Sequence, residues 1–285
     1  MAGVRTVFHA ATLHKPHVAT HSKSDFVETN IQGTLVLLEE AVRAGVESFI
    51  FTSTTSVFGD ALRPPLTEPA AWVTEKVTPI PKNIYGVTKT AAEDLCQLFH
   101  RRHGLHCLVL RPSRFFLEED DNPELRADFV DDNTKANEFL YRRVDLEDVV
   151  TAHLLAVERA SEIGFGRYII SATTPFSQQH LACLRSDAPD VLRELYPDYE
   201  DEYRQRGWSM FPGIDRVYVN QAARKDLGWN PKYDFARVLA CLREKREWRS
   251  PLALTVGKKG YHDTVFEDGP FPVEETAEIE KGHDR

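Results

Sequence analysis

The chain has 285 residues, of which 42% are hydrophobic and 28% charged, and its formal net charge is -9. This length and composition exclude a disordered chain and leave room for one large folded unit or two unequal ones. No basic stripe with interleaved aromatic residues occurs, so nucleic acid is not an expected partner.

Residues 4–9 read as a short buried strand that turns at Ala10, Ala11 and Thr12. His14, His17 and His21 follow in a polar loop, without helical register or a partnering Cys or Asp, so no metal site is expected there. Across 22–44, Val27, Ile31, Leu35, Leu38 and Val42 recur at three- and four-residue steps and predict an amphipathic helix ended by Gly45. The run Phe49, Ile50, Phe51 predicts a buried strand whose carboxyl end carries hydroxyls from Thr52 to Ser56, where open α/β sheets bind ligands. Residues 60–81 hold five prolines and read as a loop.

A second helix is predicted over 83–104, with Tyr85 and Lys89 four residues apart and therefore on one face. A phenol with a pKa of about 10 is a poor base near neutrality, and an ammonium held close favours the phenolate. That spacing therefore points to proton transfer by Tyr85. The basic cluster from His100 to His103 suits the negative end of the helix dipole. Leu108, Val109 and Leu110 form the next predicted strand, closed by Arg111, Pro112 and Ser113. An acidic loop is expected over 118–132, a helix over 149–160, and a last main strand over 165–171. Short helices over 178–184 and 188–196, a charged linker over 199–206 and a helix over 235–248 complete the expectation, with a loose acidic tail beyond 254. Cys96, Cys107, Cys183 and Cys241 are scattered without a Cys-x-x-Cys pair and fit thiols of a reducing compartment. No apolar run approaches a membrane span and no signal-peptide core opens the sequence, so a membrane partner is not expected and the expected location is cytoplasmic.

Taken together, the ordered motifs resemble the extended short-chain dehydrogenase/reductase family, in its NAD-dependent epimerase/dehydratase (UDP-galactose 4-epimerase-like) branch. The motifs are His9-Ala10-Ala11, Asn30-Ile31-Gln32-Gly33-Thr34, the Ser/Thr cluster before Val57-Phe58-Gly59, Tyr85-x-x-x-Lys89, Arg111-Pro112, the segment Tyr141 to Val149, and Leu227-Gly228-Trp229-Asn230-Pro231. The resemblance implies an α/β fold, a Rossmann-like doubly wound parallel sheet with a small C-terminal α/β substrate domain. Its implied divisions are a cofactor-binding core over 1–172, a substrate-binding domain over 173–254 with contributions from 112–145, and a tail over 255–285. It implies Tyr85, Lys89 and Thr54 as the catalytic set, with Lys89 lowering the phenol's pKa and holding the nicotinamide ribose. NAD or NADP would lie against Ala10, Ala11, Asn30, Thr52, Ser53, Tyr85, Lys89, Pro112 and Ser113. Thr54, Arg114, Arg142, Arg143 and Arg216 would face a sugar or nucleotide sugar, although the family usually has an asparagine near Arg114. A homodimer is implied, paired through the helices 22–44 and 83–104.

The implied activity is epimerisation or dehydration of the sugar by transient hydride transfer. The segment between Arg111 and Asp148 is short for a large nucleotide-sugar site, which leaves a carbonyl or alcohol oxidoreductase of the same fold as the alternative. The family opens with a strand, a Gly-x-x-Gly-x-x-Gly turn and a helix that seat the cofactor pyrophosphate. Here Gly3 stands alone and none of the 15 glycines makes that pattern. A core truncated at its start, as from an incomplete or shortened chain, is therefore expected, and with it a possible loss of activity. The residue that would choose between NAD and NADP belongs to the same absent section.

Overall fold

The structure, a computed structural model, describes residues 1–264, 266, 267 and 269–272. In chain order, β1 (Thr6–His9) leads through a loop into a helical run of three parts: α1 (Lys23–Phe26), a π-type stretch over Val27–Gln32, and α2 (Gly33–Arg43). Next come β2 (Ser48–Thr52), β3 (Ala71–Val73), α3 (Ile84–His103) and β4 (His106–Pro112). Two short helices, α4 (Pro123–Asp128) and α5 (Asp131–Glu138), precede α6 (Leu146–Ile163) and β5 (Phe165–Ile170). The rest is α7 (Leu181–Ser186), α8 (Ala188–Leu195), α9 (Tyr199–Arg204), β6 (Arg216–Tyr218), α10 (Gln221–Leu227), α11 (Phe235–Arg243) and α12 (Pro251–Val256). None of the helices in the described residues is long and apolar enough to cross a membrane.

Four strands make one parallel sheet in the order β1-β2-β4-β5, with Phe8 beside Ile50 and Ile50 beside Leu108. A parallel sheet covered on both faces needs apolar residues at every position, which is why β2 and β4 read as continuous apolar runs. Successive side chains point to opposite faces. Phe49, Phe51, Cys107 and Val109 accordingly pack against Leu38 of α2 and Ala92, Cys96 and Phe99 of α3. Ile50, Leu108 and Leu110 pack on the other face against Ala152, Ala156 and Ala160 of α6 and Ala223 and Leu227 of α10. This is the Rossmann-like layering implied by the sequence. It leaves β1 as an edge strand, with Phe8 half exposed.

A separate core, built on Phe139, Leu140, Tyr141, Val191, Tyr203 and Phe235, lies under the C-terminal helices. Three segments differ from the sequence reading. The proline-rich stretch 60–81 contains β3, which pairs in parallel with β6 as a second, two-stranded sheet. The acidic stretch 118–132 contains α4 and the start of α5, and the charged linker 199–206 is largely α9. Asn122 caps α4, whereas α9 has no side-chain cap and is held by Tyr199 and Tyr203, which turn inward to the C-terminal core. The helix expected over 22–44 forms, with its turn widened around Asn30. Of the tail expected over 255–285, residues 273–285, Val265 and Asp268 lie outside the described residues.

Two positions fix how the parts meet. Gly59 ends the Ser/Thr cluster with φ 50° and lies so close to the next segment that a Cβ there would meet the Ile80 carbonyl oxygen at 1.9 Å. Trp229, buried against α6, donates its indole N-H to the Asp148 carbonyl at 3.1 Å, while the Asp148 carboxylate accepts the backbone N-H groups of Lys232 and Tyr233. The Leu-Gly-Trp-x-Pro segment thus locks the C-terminal part of the chain onto the main sheet's helix layer. Replacing Trp229 with Ala should cost about 3–5 kcal/mol of stability, read as a lower urea midpoint. A loss below ~1 kcal/mol would show that this contact does not join the two parts.

Candidate active site

A cleft of about 430 Å3 opens at the carboxyl ends of β1, β2 and β4. Asn83 caps α3 by accepting the Gly86 N-H at 3.1 Å, and this start point puts Tyr85 on the first turn, lining the cleft. Thr54 lines it too, close enough for its side chain to pull the Tyr85 phenol's pKa down, while accepting the Ser56 N-H at 3.0 Å. The sequence-derived pair Tyr85 and Thr54 is therefore brought together. Burial pushes the phenol above its ordinary value, and the neighbouring Thr54 side chain only partly opposes this. At rest Tyr85 is a neutral proton donor.

Lys89 behaves differently from the expectation. It is 1% exposed and does not line the cleft; its Nζ donates to the Thr52 carbonyl at 2.7 Å and lies 4.0 Å from the centre of the Phe51 ring. The lysine therefore braces the cleft floor from behind, and the expected lowering of the phenol's pKa is overridden by burial. Burial also pulls Lys89 itself down to about 7, against the pull of the Glu93 carboxylate, which favours the charged form.

Thr52 and Ser53 line the cleft with hydroxyls whose protons are committed elsewhere. His153 Nδ1 lies 2.8 Å from the Val149 carbonyl and so carries the proton; its Nε2 then accepts from the Thr52 hydroxyl at 2.8 Å. Ser53 donates to Glu93 Oε1 at 2.5 Å, because a carboxylate can only accept. Glu93 is fixed in turn by Arg111 at 2.6 Å and Arg167 at 3.0 Å. Both hydroxyl oxygens thus keep only lone pairs for a ligand. Ala10, Pro112 and Ser113 also line the cleft, and the buried Ser113 hydroxyl has no partner.

Several expected contacts fall outside the cleft lining. Ala11 is not part of it. Asn30 works behind the wall: its amide donates to the Leu13 carbonyl and Thr88, and its oxygen accepts from Thr12 and the Leu13 N-H. It holds the loop after β1 onto α3. Arg143 is buried, donating to Glu138 at 2.7 Å and to the Phe116 carbonyl at 2.9 Å, which leaves it no path to a substrate. Arg114 and Arg142 do line the cleft, yet they meet carboxylates of the same chain: Arg114 pairs with Asp120, Asp121 and Glu138, and Arg142 with Asp120 and Glu138. Burial pushes the Glu138 carboxyl up, but Arg143, Arg142 and Arg114 together hold it below the carboxylate range. Arg216 lines the cleft with Asp215 as its ion-pair partner.

Among the cleft-lining residues that sequence reasoning missed are His14, Glu118, Tyr261 and Phe271. No local signal marks them, because each comes from a polar loop or the expected tail.

The sequence profile of the NAD dependent epimerase/dehydratase family matches residues 1–170. The chain belongs to that family. It is 29% identical over 278 residues to a dTDP-glucose 4,6-dehydratase of Streptomyces antibioticus, covering 88% of this chain and 74% of that protein. It is 24% identical over 261 residues to a UDP-glucose 4-epimerase of Azospirillum brasilense, covering 83% and 70% of the two chains. A UDP-glucuronic acid 4-epimerase from Bacillus cereus, solved in complex with NAD, shares the fold with a TM-score of 0.54 at 18% identity, covering 86% of this chain and 76% of that one.

Membership in the epimerase/dehydratase family implies a dinucleotide, and the cleft fits one end of it. The acceptor-only oxygens of Thr52 and Ser53 and the unpartnered hydroxyl of Ser113 suit the amide and hydroxyl donors of a nicotinamide riboside. The pyrophosphate end finds no glycine-rich cradle in the described residues.

The Lys89 environment gives a direct test. With 13C-labelled lysine methylene groups, one signal should titrate near pH 7, charged below and neutral above, while exposed lysines titrate near ~10.4. Glu93→Gln removes the negative charge that favours the ammonium, so that midpoint should fall. A Lys89 midpoint near ~10 would contradict the burial described here.

Proposed function

We propose that this protein is an NAD(P)-dependent epimerase or dehydratase acting on a nucleotide sugar. The observation that carries this reading is the nearness of Thr54 and Tyr85 in a cleft on which unsatisfied polar side chains converge. Among the described residues, eight buried side-chain polar atoms lack a hydrogen-bond partner. Those of His14, Ser113, Glu118, Arg142, Arg216 and Tyr261 line this cleft, leaving only those of Arg111 and Arg185 elsewhere. Buried polar atoms are costly to leave unpaired, so their convergence supports a ligand rich in hydroxyl and phosphate oxygens.

In this reading the neutral Tyr85 phenol and the Thr54 hydroxyl hold one substrate oxygen between them, and Tyr85 donates or takes back its proton. A nicotinamide bound against Thr52, Ser53 and Ser113 would supply the hydride chemistry. Lys89 braces the cleft floor through the Thr52 carbonyl without touching substrate. Arg142 and Arg216, each with an unpartnered Nε, are the arginines placed to meet a diphosphate.

A second reading, a carbonyl or alcohol oxidoreductase with a smaller substrate, is favoured by one observation. Arg114 and Arg143, expected to grip phosphate, are matched by Asp120, Asp121 and Glu138. Incubation with NAD and UDP-sugars separates the two. Isomer interconversion or dehydration without net change in nicotinamide absorbance supports the first reading, whereas a steady absorbance change with a simple carbonyl supports the second. Tyr85→Phe should lower turnover by about 10²–10⁴-fold with the fold intact; unchanged turnover would refute the role given to the phenol.

A homodimer is part of the same reading. Val36 on α2 and Val87 and Leu98 on α3 are exposed apolar side chains, and Val87 and Leu98, eleven residues apart, share one helix face. Light scattering at micromolar concentration should give the dimer mass, and Leu98→Glu should shift it toward monomer. A wild-type monomer would contradict the pairing.

A further inference from the structure

The part of the chain after α12 does more than trail away. Its described residues return to the mouth of the cleft, where Tyr261 and Phe271 join the lining. The segment is tied down at both margins: the His262 ring bonds the Pro16 carbonyl at 2.8 Å, the Lys259 N-H donates to Glu118 Oε1, and Lys258 pairs with Glu119 at 3.6 Å. These ties place the Tyr261 ring parallel to His14, with centroids 5.5 Å apart and planes within 11°. Phe116 meets both rings edge-on, and His14 in turn lies 5.0 Å from the Tyr85 ring.

Three atoms in this corner have no partner: the Tyr261 hydroxyl, His14 Nδ1 and Glu118 Oε2. Their chemistry is specific. A carboxylate oxygen can only accept, a phenol can donate, and a neutral imidazole nitrogen can complete either role. His14 is held neutral, since burial and then the Lys89 charge pull it down to about 3. One or two sugar hydroxyls could donate to Glu118 while accepting from Tyr261. A carboxylate on the sugar would instead face Glu118 as a like charge. Neither His14 nor Arg114 could offset it, because the Arg114 guanidinium is already matched by Asp120, Asp121 and Glu138.

We propose that Tyr261, His14 and Glu118 form a hydroxyl-binding subsite that selects a neutral glycosyl group over a uronic acid, with Tyr261 as its specificity-determining residue. The inference rests on the nucleotide-sugar reading above and names which sugars that reading should admit. Tyr261 is supplied by a segment with no motif of its own, so the same catalytic pair could be given a different preference by changing this strap alone.

Calorimetric titration of the full chain with UDP, UDP-glucose and UDP-glucuronic acid tests it. UDP-glucose should bind roughly tenfold tighter than UDP-glucuronic acid. Glu118→Gln should bring the two within about threefold, and Tyr261→Phe should weaken UDP-glucose by about 3- to 10-fold, the worth of one hydrogen bond, while leaving UDP unchanged. Unchanged circular dichroism would confirm that both variants fold. Equal or tighter binding of the uronic acid by the wild type, or variants that leave the sugar preference and the UDP-glucose affinity where they were, would overturn the subsite. If neither UDP nor the UDP-sugars bind at millimolar concentration, the nucleotide-sugar reading fails and the subsite with it, an outcome distinct from binding without preference.

Discussion

Burying a lysine beneath the cleft floor is the constraint on which this site depends. Lys89 has left water, and its compensation is small: one bond to the Thr52 carbonyl, the face of Phe51, and the field of Glu93 one helical turn away. Glu93 in turn survives burial only because Arg111 and Arg167 neutralise it. The same carboxylate takes the Ser53 proton. A single network therefore fixes the lysine's charge, the direction of a cleft hydroxyl and the register of α3 against β2 and β4. The carboxylate of Glu93 is the hinge of it: removing it would strand the buried Arg111 and unlock Ser53 at once.

The second organising feature is electrostatic restraint around the arginines. Arg114, Arg142 and Arg216 in the cleft lining suggest a strong anion site, yet the chain supplies its own carboxylates to each of them. Arg114 and Arg143 end as structural partners of Glu138, which anchors the end of α5 under the cleft. What remains for a ligand is more selective than a basic patch, being the unspent donors of Arg142 and Arg216 together with the acceptor-rich corner of Glu118. Such a combination suits a molecule that carries both a charged group and hydroxyls.

Much of this was legible in the sequence, and the boundary of legibility has a physical cause. The main sheet was readable because strands buried on both faces must be continuously apolar, and α3 because its apolar ladder begins at a capping asparagine. The nearness of Thr54 to Tyr85 followed from the ordered motifs. Sequence spacing could place Lys89 on the face of Tyr85, but not say that strand β2 would cover it, since that depends on packing. Counter-charges were invisible for the same reason: Asp120 and Asp121 precede α4 and Glu138 ends α5, and only tertiary structure brings them onto Arg114. Strands β3 and β6 are three residues each, too short for any period to show. Tyr261 and Glu118 lie in stretches whose composition marks only a polar surface.

The central claim is that Tyr85 and Thr54 together hold the reacting oxygen of a sugar while the rest of the cleft binds its nucleotide. A crystal structure of the Tyr85→Phe protein soaked with UDP-glucose would address it most directly. The account predicts a sugar hydroxyl within ~3.2 Å of the Thr54 hydroxyl, facing the ring at position 85, with the diphosphate near Arg142 and Arg216. A nucleotide sugar seated elsewhere, or one whose hydroxyls turn away from Thr54, would contradict it.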